Sequence, residues 1–282
     1  MKYLPKQTVL AVLTLVVISA SHADIITFDD NASYDNNFVE RNNGIYVSRD
    51  AGGYLTLNNT GAGISTADIY NTAASGGSGG SGGTTINSPF NTFGGTTAFT
   101  IQADYLQSNP QGGPAGTSFG FFIKAAVSAT PTTAYAALFR LTDSVADFRV
   151  FDSNGNPGTS GVGTQIGSTL TYNSGFAADT YYTLKLEVVD VSGNVQFTGS
   201  IWTQGGTEIK TFASITDTTS PVLGAGQVGF RWGNDGGSNT RIDNFSISVV
   251  PEPGTLAILG GGLAALVGFR QRRHGTRIRP VS

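Results

Sequence analysis

The chain of 282 residues has no cysteine, one methionine, two tryptophans and two histidines, and only 12% of it is charged. Without cysteine there are no disulfides, no thiolate metal sites and no cysteine nucleophile. Both histidines, His22 and His274, lie near the ends, so residues 24–250 hold none. That stretch offers no Ser-His-Asp triad, no histidine general base and no imidazole zinc ligand. No run of twelve residues within it carries a helical period. Glycine, by contrast, is plentiful, with 39 residues, about twice the average usage.

The formal net charge of −3 hides a segregation. Residues 24–250 carry nine Lys/Arg against 18 Asp/Glu, while the last 13 residues carry five Arg. An acidic body argues against nucleic acid as a partner, because that affinity comes mostly from Lys and Arg neutralising phosphates.

The two ends read as addresses. Lys2 and Lys6 precede an uncharged, mostly apolar stretch, Thr8–Ile18, and Ser21-His22-Ala23 is a small-x-small cleavage site. This is the pattern of a secretory signal peptide over 1–23. At the other end, Pro251-Glu252-Pro253 halts the preceding strand, since proline has no N–H for a ladder. Gly254–Phe269 follows as a glycine-rich apolar run, then Arg270, Arg272, Arg273 and His274. Sixteen residues of helix span about 24 Å at ~1.5 Å each. That suits a short transmembrane helix whose flanking Arg snorkel and stay cytoplasmic.

The three-part ending resembles the PEP-CTERM sorting signal, and also the C-terminal segment described for ice-binding proteins. Pro251, Glu252 and Pro253 match its name motif, Gly254–Phe269 its helix and Arg270–His274 its basic stop. The resemblance implies a Gram-negative host with an exopolysaccharide system, and cleavage near the motif by an exosortase, a membrane transpeptidase. The three motif residues would then be recognition residues of a substrate. It also implies an inner-membrane-anchored precursor, transient in that state, bound for the cell surface, extracellular matrix or biofilm after processing. The expected divisions are 1–23 signal peptide, 24–250 body, 251–274 sorting and anchor segment, and 275–282 cytoplasmic tail.

In the body, short strands alternate with Gly/Asn/Asp/Ser/Pro clusters. Tyr182, Leu184, Leu186 and Val188 share one face of Tyr181–Val189, and Tyr181, Thr183, Lys185 and Glu187 share the other. That period of two marks a half-buried strand. Val191–Asn194 turns it into Val195–Trp202, whose Val195, Phe197 and Ile201 face one way. Ala134–Leu141 and Val145–Phe151 make a second hairpin around Asp143-Ser144. Further strands are expected at 25–28, 45–48, 54–57, 99–105, 119–127, 208–212, 227–232 and 240–249. A dozen or so strands predict an all-β, two-sheet jelly-roll sandwich as one domain, with the Gly/Ser run 75–83 as a mobile loop inside it.

The second half resembles the concanavalin A-like lectin/glucanase superfamily in its laminin-G-like form. The resemblance rests on the hairpin 181–202, on Gly226-Gln227-Val228-Gly229-Phe230-Arg231 and on Arg241-Ile242-Asp243-Asn244-Phe245-Ser246-Ile247. Thr27-Phe28-Asp29-Asp30 fits the strand that pairs with the last one. The superfamily holds binders, hydrolases and lyases, so the fold leaves function open.

Chemistry in the body is sparse. A sandwich glycosidase needs paired carboxylates flanking one bond, and no Glu-x-Asp-x-Glu occurs. Asp152-Ser153-Asn154-Gly155-Asn156 opens like an EF-hand loop but puts Gly163 where a bidentate acid is required. The one cofactor expected is a structural Ca²⁺, with Asp29 or Asp30 meeting Asp243 across paired first and last strands; the alternative is plain surface acids. For sugar binding the candidates are Trp202, Arg231, Trp232 and Asn234, with Trp232–Asp235 expected at a loop mouth; the alternative is that the tryptophans are core. The reading is a non-catalytic exported protein that binds or organises extracellular polysaccharide. A purely structural matrix or adhesion protein and a polysaccharide-degrading enzyme are the alternatives.

Overall fold

Alternating apolar residues, interrupted by turn formers, produce sixteen strands and no helix among the described residues. The computed structural model describes residues 23–26, 39–41, 46–49, 52–58, 64–70, 98–107, 118–125, 134–152, 163–223, 227–235 and 240–249. In chain order the strands are β1 Ala23–Ile26, β2 Val39–Arg41, β3 Tyr46–Arg49, β4 Leu55–Asn58, β5 Ile64–Tyr70, β6 Ala98–Gln107, β7 Ser118–Ala125 and β8 Tyr135–Leu141. They continue as β9 Ala146–Asp152, β10 Thr164–Tyr172, β11 Thr180–Val191, β12 Asn194–Thr203, β13 Glu208–Thr211, β14 Ile215–Asp217, β15 Gln227–Asp235 and β16 Thr240–Val249. Ala23–Ser248 forms one compact unit.

The strands form two sheets. The first runs β13-β12-β11-β6-β16-β4-β3, with β1 on β16 and β14 on β12. The second runs β10-β9-β8-β7-β15-β5-β2. Long-range crossovers between the sheets make this the jelly roll expected from the strand pattern. The first and last strands pair antiparallel, Ala23 opposite Ser248 and Ile26 opposite Phe245. At Asn244, whose φ is +50°, β16 passes from β4, its partner over 240–242, to β1.

The core lies between the sheets. Leu184, Leu186 and Val188 of β11 and Val195, Phe197 and Ile201 of β12 are buried, as their alternation predicts. They meet Phe119 and Phe121 of β7, Tyr135 and Phe139 of β8, and Phe148 and Val150 of β9. Gly199 is the small member of β12's inward row. A Cβ there would stand 2.6 Å from Phe148 Cδ2, so the Phe148 ring occupies the space a side chain would need. The turn at Asp143-Ser144 is held by Thr142, whose N–H donates to Val145 O at 2.8 Å and whose Oγ1 accepts from Val145 N at 2.8 Å.

Four strands escape the sequence pattern: β2, β5, β10 and β14. β10 is an edge strand with most of its residues exposed, and only Ile166, Leu170 and Tyr172 pack against the core, so its apolar alternation is broken at Ser168. β14 has three residues. The loop 75–83, the signal peptide, the sorting segment and its helix lie outside the described residues. Among the described residues no helix is long and apolar enough to cross a membrane.

Candidate functional site

The expected sugar-binding residues separate onto different sheets. Trp202 lies on β12 of the first sheet, beside outward residues of that strand rather than in the core. Its indole N–H donates to Ser200 Oγ at 2.8 Å, and the Lys185 ammonium stands 4.1 Å from the ring centroid. The half-buried indole is thus anchored at one edge and shares a cation–π contact. Arg231, Trp232 and Asn234 belong to β15 of the second sheet. That strand continues to Asp235, where a loop mouth was expected, because β5 pairs with it through Asp235 opposite Ile64. In register, Trp232 stands across from Phe119, a core residue, and Arg231 across from Gly120.

Of the expected metal ligands, Asp29 and Asp30 lie outside the described residues. Asp243 is half-buried, and its Oδ1 accepts from Asn244 N at 2.7 Å. Asn244 in turn donates through Nδ2 to Asp104 Oδ2 at 2.9 Å, and Thr183 Oγ1 donates to Asp104 Oδ1 at 2.5 Å. Beside them the Arg241 guanidinium lies 4.4 Å from the Tyr54 ring centroid, and burial raises the Tyr181 phenol. Among the described residues no group of three or more His, Cys, Asp or Glu is arranged to hold a metal ion. Asp243 therefore needs donors from outside them to make a Ca²⁺ site.

Two polar clusters lie outside the candidate binding residues the sequence singled out. In the first, Tyr135 donates to Asp217 Oδ2 at 2.7 Å and accepts from Val222 N at 2.7 Å. Asp217 Oδ1 accepts from Thr219 N at 2.9 Å and Ser220 N at 3.3 Å. Ser220 Oγ donates to Asp152 Oδ2 at 3.2 Å. A groove of about 440 Å³ opens here, lined also by Thr164, Gln165, Thr216 and Thr218. Burial, reinforced by the Asp217 charge, pushes the Asp152 carboxyl up from its ordinary value. Tyr135 and Asp217 are 82 residues apart, so no spacing motif announces them.

The second cluster lies on the outer face of β8, β9 and β10. Arg140 Nη2 donates to Asp147 Oδ2, and Thr171 Oγ1 donates to Asp147 Oδ1 at 2.9 Å. Arg149, two residues on from Asp147, reaches over the Phe151 ring at 5.9 Å. The signal for the ion pair was present: a hairpin turned at Asp143-Ser144 puts Arg140 directly opposite Asp147. At the far end of the sheet, Lys124 with φ +52° donates to both carboxylate oxygens of Asp190, at 2.6 and 2.8 Å.

Comparison with solved structures finds similar chains at low identity. The carbohydrate recognition domain of Emp46p in its potassium-bound form aligns with a TM-score of 0.50 and 11% identity, over 79% of this chain and 95% of that one. Peanut lectin aligns with a TM-score of 0.45 and 10% identity, over 82% and 97%. The VIP36 exoplasmic/lumenal domain, bound to Ca²⁺ and Man3GlcNAc, aligns at 0.48 and 11%, over 82% and 89%. No curated protein matches the sequence. The body therefore has the β-sandwich fold of the Emp46p carbohydrate recognition domain, and residues 249–273 match the PEP-CTERM protein-sorting motif.

Proposed function

We propose that this is an exported protein, sorted through its PEP-CTERM motif, whose sandwich binds carbohydrate without cleaving it. The observation that carries the reading is a lectin-like jelly roll whose last strand, β16, runs directly into the motif at 249–273. On this reading an exosortase recognises Pro251, Glu252 and Pro253. The body then serves at the cell surface or in the matrix, with extracellular polysaccharide as its partner. Trp202 supplies an aromatic platform on one sheet, and Arg231, Trp232 and Asn234 a second contact on the other. Asp29 or Asp30 with Asp243 holds a structural Ca²⁺, a hard cation suited to carboxylate and carbonyl oxygens. An open sheet face encloses little ligand, so each site is weak, and retention comes from many anchored copies acting at high effective concentration.

Affinity electrophoresis of the purified chain in gels containing the host's own polymer tests this. Retardation without release of reducing ends supports the reading, and free migration favours a purely structural matrix protein. A second reading, polysaccharide hydrolysis, draws on the Asp152–Asp217 groove. One carboxyl there is raised by burial while the other accepts three hydrogen bonds. A carboxyl raised by burial beside a second carboxyl is a candidate general acid. Reducing ends that vanish in Asp152→Asn would establish it in place of the binding role.

A further inference from the structure

Among the described residues Arg149 has no carboxylate partner. Its neighbours on β9 in the core-facing row, Phe148 and Val150, are fully buried, so Arg149 points to the outer face of the second sheet. It is half-buried there, and its Nε is sealed from solvent with no hydrogen-bond partner. Arg140 is its diagonal neighbour across the β8–β9 ladder, a relationship that sets Cα atoms about 7–8 Å apart. The one carboxylate between them, Asp147, is spent on Arg140 and Thr171. Two guanidiniums thus share one acid, leaving a surplus positive charge in a body whose acids outnumber its bases two to one.

The adjoining strand bulges beside that charge. Ile166 pairs with Val150 and Leu170 with Phe148, so Gly167, Ser168 and Thr169 all stand opposite Arg149 with no register partner. All three are exposed, and Gly167 has φ +65°. The bulge is braced by Gln165, whose Nε2 donates to Gly167 O and Thr169 Oγ1, each at 3.3 Å. A braced bulge beside a guanidinium that has no carboxylate partner among the described residues re-aims the edge, as bulges do beside functional residues.

We propose that Arg149, backed by Arg140, receives the carboxylate of an acidic sugar, so that the polysaccharide bound is a uronate-containing one. This rests on the carbohydrate-binding reading and names its ligand class. A guanidinium presents a planar fork of donors that matches a carboxylate, and burial weakens the competing hold of water. Burial and the Arg140 charge also lower the Arg149 pKa, the direction expected of a guanidinium short of negative charge. The acidic remainder of the body does not forbid the contact, because its field is screened beyond about 8 Å at physiological ionic strength.

The test is affinity electrophoresis of the full chain in mild detergent, in gels of polygalacturonate, its methyl ester, dextran sulfate and dextran. Retardation by polygalacturonate, lost on methyl esterification and weakened at least tenfold in Arg149→Gln, is the expected result, while Lys210→Gln, which removes the same charge elsewhere, stays within twofold. Should the Gln variant fail to fold, Arg149→Lys keeps the charge without the fork and is expected to weaken uronate binding several-fold. Equal retardation by the methyl ester, or an Arg149→Gln chain that binds as the parent does, overturns the proposal. Retardation by dextran sulfate alone overturns the carboxylate assignment in favour of sulfate. Binding to dextran but to neither acidic polymer overturns this inference while leaving carbohydrate binding intact. Failure to bind any of the four or the host polymer removes both.

Discussion

Tyr135 of β8 and Asp217 of β14 join the two sheets through a phenol-to-carboxylate hydrogen bond of 2.7 Å. The Tyr135 ring meets Phe197 of β12 edge-on, with centroids 4.8 Å apart, so the same side chain packs the core and ties off a polar end. Tyr135→Phe keeps the packing and strips the hydroxyl, leaving a buried carboxylate oxygen and the Val222 amide short of a partner. The expected cost is about 2–3 kcal/mol. A double-mutant cycle with Asp217→Asn in urea checks it, and additive effects would show that the bond contributes nothing of its own.

Asp152 predicts a pH dependence. Its folded-state pKa is raised by burial and by Asp217, so the folded chain holds that proton to higher pH than the unfolded chain does. Stability from this group is present at acid pH and is lost as pH rises through the raised pKa. Asp152→Asn removes the penalty. Its melting temperature relative to the parent should rise as pH is taken from acid to neutral. A pH-independent difference between the two chains would contradict the prediction.

Gly199→Ala places a methyl group against the Phe148 ring, overpacking that costs about 1–3 kcal/mol. Phe148→Leu in the same chain should recover part of the loss. Gly205→Ala, whose nearest neighbour would be Thr203 Oγ1 at 3.8 Å, serves as the neutral comparison, within about 0.5 kcal/mol.

Processing at the sorting motif predicts a mature protein ending near residues 250–254 in a host with an exosortase. Intact-mass measurement reads this directly. A mature mass that retains Arg270–Ser282 would contradict it.

Calcium binding at Asp243 predicts that Ca²⁺ at a hundred times its Kd adds about 2.7 kcal/mol of stability, and that Asp243→Asn loses this gain. A melting temperature unmoved by EDTA excludes a folding-linked site.

The sequence by itself determined the class of fold. Each core strand carries its own alternation, as in Leu184, Leu186 and Val188, and a period of two needs no distant residue to be read. It also determined the sorting motif, whose parts are contiguous in the chain. The tertiary structure alone decided which polar groups meet. Asp152, Tyr135 and Asp217 come from three separate strands, and Arg149 differs from a solvated strand arginine through its sealed Nε and the bulge that β10 sets opposite it. It also put Trp202 and Trp232 on different sheets, although both lie in short β segments of similar composition. Local alternation fixes only which side of a strand a residue takes. Which strands become neighbours, and in what register, depends on burying both sheets' apolar faces at once, and that is a property of the whole chain.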